Sequence, residues 1–221
     1  AIADLIASDQ FRASIYAFNL VQKHAKQPSG APDASLATKV TKVGVLGAGL
    51  MASQFALLFL RRLQVPVVIT DVSQERIDKG LAYIREELEK LVGKGRLSTD
   101  DRNRYLANLS GSLDYSAFAD CDWVIEAVFE ELGVKQEVFA KLEQFVSPEC
   151  ILATNTSSLS VTAIASKLQH PERVVGFHFF NPVAVMPLLE VVRAEKTTDA
   201  ALATAMKVAR DLKKTAVITA D

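Results

Sequence analysis

The chain has 221 residues, 49% hydrophobic and 23% charged, with a formal net charge of −1; these are the proportions of a globular protein with one sizeable core. The near-zero charge gives no overall attraction to nucleic acid or to an anionic membrane, and no apolar run reaches membrane-spanning length. Cys121 and Cys150 do not form a metal-binding spacing and read as reduced, buried thiols of a cytoplasmic protein.

Residues 1–27 space Leu5, Ile6, Phe11, Ile15, Phe18 and Val21 among Arg12, Asn19, Gln22 and Lys23, the pattern of a one-sided helix. Gln27-Pro-Ser-Gly-Ala-Pro-Asp33 breaks it and reads as a linker, so residues 1–38 are expected to be an appendage and residues 39–221 the domain proper. The start is neither a signal nor a transit peptide, and the last segment is a strand with nothing after it. Together they lead us to expect a piece of a longer polypeptide.

Within the domain, a short apolar strand, Val43 to Leu46, runs into Gly47-Ala-Gly49-Leu50-Met51-Ala52 and then into a helix from Ser53 to Leu63. Strand, tight turn and helix in this order are a dinucleotide-binding unit. Gly47 permits the turn, Gly49 lets a pyrophosphate approach the backbone, and the helix start offers unpaired N–H groups to the phosphates. A second strand, Val65 to Thr70, ends in Asp71, 22 residues beyond Gly49. A carboxylate there accepts hydrogen bonds from a ribose diol and repels a 2′-phosphate, which selects NAD over NADP.

Ser73 is expected to cap a long helix reaching Lys90, and Ser98 to start another that ends near Leu109, the pair being an insertion between strands. Its cations, Lys90, Lys94, Arg96, Arg102 and Arg104, read most simply as a solvated face. Strands are predicted at Asp122 to Val128, Ile151 to Thr154, Arg173 to Phe180, Leu188 to Val192 and Ala216 to Thr219. Helices fall at Val134 to Phe145, after Ser160, and at Thr198 to Lys213. This alternation predicts an α/β fold with a doubly wound, mainly parallel sheet, whose ligands bind at the carboxyl ends of the strands.

Asp71, Ala127 to Glu130, Asn155 to Ser158 and His178 to Asn181 all fall at such ends. His24 and His170 sit in polar surroundings and read as inert. His178 lies on an apolar strand, where a histidine is more often a core residue than a catalyst. Glu190 lies inside another apolar run, and an acid buried there needs a partner. Paired with Glu190, His178 becomes an oriented base for oxidising an alcohol. Ser157 and Ser158 can hydrogen-bond the reacting oxygen or merely cap the next helix, and Asn181 can position that oxygen or merely form a turn.

Gly47-Ala-Gly-Leu-Met51, Asp71, Glu126-Ala-Val-Phe-Glu130, Lys135, Asn155-Thr-Ser-Ser-Leu159 and His178-Phe-Phe-Asn-Pro-Val183 with Glu190 closely resemble the NAD-binding (Rossmann) domain of L-3-hydroxyacyl-CoA dehydrogenases. The resemblance spans residues 39–221 and implies oxidation of 3-hydroxyacyl-CoA to 3-ketoacyl-CoA in fatty-acid β-oxidation. It implies that His178 is the base, Glu190 its partner, and Ser157 a contact to substrate oxygen and cofactor. Asp71, Ala127, Glu130, Lys135 and Asn155 would line the NAD site. Ser14 to Lys23 resembles the helix that, in multifunctional β-oxidation enzymes, follows an enoyl-CoA hydratase domain. In that family a helical, dimerising C-terminal domain closes over the acyl-CoA, and the chain stops short of it. The resemblance implies neither a metal nor a nucleic-acid partner. The rival expectations are a related dehydrogenase of a short hydroxyacyl-CoA or free hydroxy acid, and a dinucleotide-binding module without independent catalysis.

Overall fold

The computed structural model describes the backbone of residues 2–26 and 28–221 and the side chains of residues 5–20 and 28–221. The side chains of Val21, Gln22, Lys23 and His24, and all of Gln27, lie outside the described residues. The expected N-terminal helix is two helices, α1 (Ile2–Ala7) and α2 (Asp9–Lys26), parted at Ser8. Its apolar residues Leu5, Ile6, Phe11, Ile15 and Phe18 are all exposed. Among the described residues no helix is long and apolar enough to cross a membrane.

The domain alternates β1 (Val43–Leu46), α3 (Leu50–Arg62), β2 (Val67–Thr70), α4 (Gln74–Gly93), α5 (Thr99–Ala107), β3 (Leu109–Gly111), β4 (Trp123–Glu126), α6 (Leu132–Leu142), β5 (Ile151–Thr154), α7 (Val161–Ala165), β6 (Val174–Phe179), β7 (Leu188–Arg193), α8 (Asp199–Asp211) and β8 (Thr215–Ala220). The eight strands form one sheet in the order β3-β2-β1-β4-β5-β6-β7-β8, parallel except where β7 runs antiparallel to β6. Strand order reverses between β1 and β4, so a crevice opens there at the carboxyl edge.

One strand of the domain differs from the sequence expectation. Leu109, expected at the end of a helix, begins the edge strand β3, so α4 and α5 are the crossover from β2 into that strand. Strand β7 turns back on β6 across eight residues, 180–187, too few for a parallel crossover.

Every residue of β1, β2, β4 and β5 is buried, because helices cover both faces of the sheet. Alternate residues feed two cores. Val43, Val45, Trp123 and Ile125 meet Phe55 of α3, Ile77 of α4 and Leu202 of α8 on one side. Leu46, Val124 and Leu152 meet Phe139 of α6 and Ile164 of α7 on the other. Cys121 and Cys150 are free and buried in this second core, and burial pushes the Cys121 thiol up to about 12, so neither carries a reactive thiolate. The sheet thus fixes which strand ends share an edge.

Candidate active site

At the end of β1, Gly47 takes a φ of 111°, and a Cβ there would meet the Ala127 carbonyl oxygen at 2.8 Å. Only glycine lets the chain turn this close to β4. Gly49 is the N-cap of α3; no side chain caps it, and a Cβ at Gly49 would meet nothing within 4 Å. The first N–H groups of α3 are therefore left without a side-chain cap, as an anion site requires. Leu50 is exposed and Met51 half-buried beside them. Asp71 lies against this turn: one carboxylate oxygen accepts the Ala48 N–H at 2.7 Å and the other accepts the Val72 N–H at 2.7 Å. Each oxygen keeps a lone pair for a diol.

Beyond the turn opens a cavity of about 720 Å³, bounded by Gly47, Gly49 and Asp71 on one side and Ala127 on the other. Val72, Arg76 of α4, Leu113, Tyr115 and Val138 also line it. The Lys141 ammonium lies 4.3 Å from the centroid of the Tyr115 ring at its rim. Val72 and Arg76 follow Asp71 directly and were open to detection. Leu113 and Tyr115 were not, because they belong to the connection after β3, which carries no strand pattern of its own.

Lys135, expected to line the cofactor site, is 1% exposed and lies beneath it. Its ammonium donates to both oxygens of Glu126, at 2.8 and 3.0 Å, and sits 3.2 Å from Glu130. Glu126 is fully buried and also accepts the Thr154 hydroxyl and the Val128 N–H. Glu130 in turn accepts the Thr156 hydroxyl at 2.5 Å and the Ser157 N–H at 2.9 Å. Burial opposes ionisation of Glu130, but these hydrogen bonds and the Lys135 charge outweigh it and hold its carboxyl below the usual range. Its contribution to stability is thus present at neutral pH and lost as pH falls through the lowered value. The loops after β4 and β5 are thereby joined by one charged network, with Lys135 bridging Glu126 and Glu130.

His178 and Glu190 face each other directly in the β6–β7 register, with His178 Nδ1 and Glu190 Oε2 2.7 Å apart. Their side chains are 17% and 36% exposed, so Glu190 is less buried than its apolar run suggests. Asn155 accepts the Phe179 N–H at 2.9 Å, bracing the end of β6 from β5. Ser160, not Ser157 or Ser158, caps α7, accepting the Ala163 N–H. Ser157, Ser158 and Asn181 are exposed at the carboxyl edge, their side chains free of a capping role there.

An uncapped helix start beside a strand-end carboxylate suits a pyrophosphate and a ribose, and an oriented imidazole on the same edge suits proton transfer. The class so defined is that of the dinucleotide-binding dehydrogenase domains. Within it, the chain belongs to the family described as "3-hydroxyacyl-CoA dehydrogenase, NAD binding domain", whose model matches residues 42–221. It is 39% identical, over 97% of its length and 30% of the relative's, to a peroxisomal fatty acid beta-oxidation multifunctional protein of Oryza sativa subsp. japonica. Its fold matches the solved structure of 3-hydroxybutyryl-CoA dehydrogenase from Escherichia coli K12 with a TM-score of 0.80 and 36% identity, covering 83% of this chain and 39% of that one. It matches FadB2 of M. tuberculosis with a TM-score of 0.79 and 38% identity, covering 83% and 65%. The chain spans about 30% of the length of the curated relatives it matches. The fold and the NAD cofactor expected from the sequence are both borne out.

Proposed function

We propose that this chain is the cofactor-binding and proton-transferring part of an L-3-hydroxyacyl-CoA dehydrogenase of fatty-acid β-oxidation. The observation that carries the reading is the His178–Glu190 pair, 2.7 Å apart at the carboxyl edge of a sheet that also presents the uncapped glycine turn. With the Nδ1 proton directed at the Glu190 carboxylate, the free Nε2 of His178 is the acceptor for the substrate hydroxyl proton. Bound NAD supplies the acceptor for the hydride leaving the same carbon, whose C–O bond becomes C=O. Ser157 and Asn181 are read as the hydroxyl and amide that hold the reacting oxygen. Gly47 and Gly49 with the start of α3 hold the pyrophosphate, Asp71 holds the ribose diol, and Ala127, Glu130 and Asn155 border the nicotinamide side.

The chain is read as one segment of a multifunctional polypeptide, with an enoyl-CoA hydratase domain before α2 and a helical, dimerising domain after β8. The relatives' greater length supports this organisation. The free, buried thiols support a reducing compartment such as the cytoplasm.

NADH consumption with acetoacetyl-CoA, run beside an NADH fluorescence titration, tests the reading: binding with turnover above the blank is expected. Absence of NADH binding would overturn it, and binding without turnover would place the catalyst outside this chain. Asp71→Ala is expected to weaken NADH binding about tenfold, the scale of one lost charged hydrogen bond, and to narrow the preference over NADPH. Equal titration curves for variant and parent with both nucleotides would remove Asp71 from the ribose site.

A further inference from the structure

Gln54 is a polar residue on the second turn of α3, the helix whose N-terminus faces the phosphate site. It is half-buried and precedes Phe55, whose ring stacks on that of Phe179 at 4.7 Å, so α3 lies against the end of β6. Its side-chain oxygen accepts the Val183 N–H at 2.8 Å. Its side-chain nitrogen lies 3.4 Å from the Asn181 side-chain oxygen, at the long end of the hydrogen-bond range. Lys214 holds the same turn from the opposite side through the Val183 and Met186 carbonyls.

These contacts fix the direction of both amides. A backbone N–H can only donate, so the Gln54 oxygen must face Val183 and its NH2 must face Asn181. Asn181 then meets Gln54 with its oxygen, and its own NH2, without a hydrogen-bond partner among the described residues, is exposed and free to donate. From this we infer that Gln54 is a positioning residue: it pins the Asn181–Val183 turn to the phosphate-site helix and presents Asn181 to the substrate as a hydrogen-bond donor. A donor is what an oxygen gaining negative charge during ketone reduction requires. The substrate half of this inference rests on the dehydrogenase reading; the pinning of the turn does not.

Two variants of this chain separate the two roles. Gln54→Leu removes both contacts, whereas Gln54→Glu keeps an acceptor for Val183 but repels the Asn181 oxygen. Hydrogen exchange at the Val183 amide, followed by NMR, is expected to speed up about tenfold in the leucine variant and to stay at the parent rate in the glutamate variant. The Asn181 side-chain NH2 resonances are expected to shift in the glutamate variant, as the amide turns to donate to the new carboxylate. Where the parent turns over acetoacetyl-CoA, kcat is expected to fall about tenfold in both variants with KM for NADH unchanged. Unaltered Val183 exchange in the leucine variant would overturn the pinning. Unmoved Asn181 resonances, or full kcat, in the glutamate variant would overturn the donor assignment. A parent that binds NADH without turning over places the catalyst outside this chain, and one that does not bind NADH overturns the dehydrogenase reading; in either case the two NMR measurements still decide the role of Gln54.

Discussion

Replacing His178 with alanine is expected to lower turnover of acetoacetyl-CoA by about 10²- to 10⁴-fold, the range over which a positioned general acid or base acts, while NADH binding stays at the parent level. Under the proposed reading, ketone reduction would draw the proton for the oxygen from Nε2 of the protonated imidazole. Without the ring, water must supply that proton from a cleft edge where nothing orients it. The same reading assigns NADH affinity to groups elsewhere: the start of α3, Asp71 and the cavity beyond it. The measurement is kcat beside a fluorescence titration, on this chain or a longer one containing it. A kcat within twofold of the parent would assign proton transfer to another group.

Lys135→Met is expected to cost about 3–5 kcal/mol of folding stability, the scale for removing one partner of a buried ion pair. For a chain of this size that is a fall in Tm of roughly 6 to 20 °C. The methionine fills much of the same space, so the loss is mainly electrostatic: the buried Glu126 carboxylate keeps the Thr154 hydroxyl and the Val128 N–H but has no cation. Glu126→Gln added to Lys135→Met removes the stranded charge and is expected to restore part of the loss, a coupling that thermal melts of both single variants and the double variant would measure. Additive losses would mean that the two groups contribute independently of one another.

The sheet was legible because each buried parallel strand is a short apolar run bounded by glycine, proline or a polar cluster. Val43 to Leu46 and Ile151 to Thr154 were read to the residue. The edge strand β3 escaped because Leu109-Ser-Gly111 is three residues long and mostly exposed, leaving nothing for a pattern to register. The glycine turn, Asp71, His178 and Glu190 were legible from spacing and chemistry. The cavity beyond Asp71 was not, since its far wall of Leu113 and Tyr115 depends on that missed strand. Nor could the sequence show that Lys135 is buried between two carboxylates, or that Gln54 reaches the Asn181 turn. Both are tertiary contacts made by residues that read locally as ordinary helix positions.

The register of β6 against β7 has a consequence for how this site can vary. His178 and Glu190 meet because they are cross-strand partners, not because the segment between them is shaped to bring them together. The connecting loop can therefore lengthen, shorten or be grafted from elsewhere while base and acid remain opposite each other. The parity of the two strands cannot change in the same way: one residue gained or lost within either would turn its side chains to the opposite face and part the pair in a single step. Variation at this corner of the domain is thus channelled into the loop between the two strands, where it leaves the His178–Glu190 pairing intact.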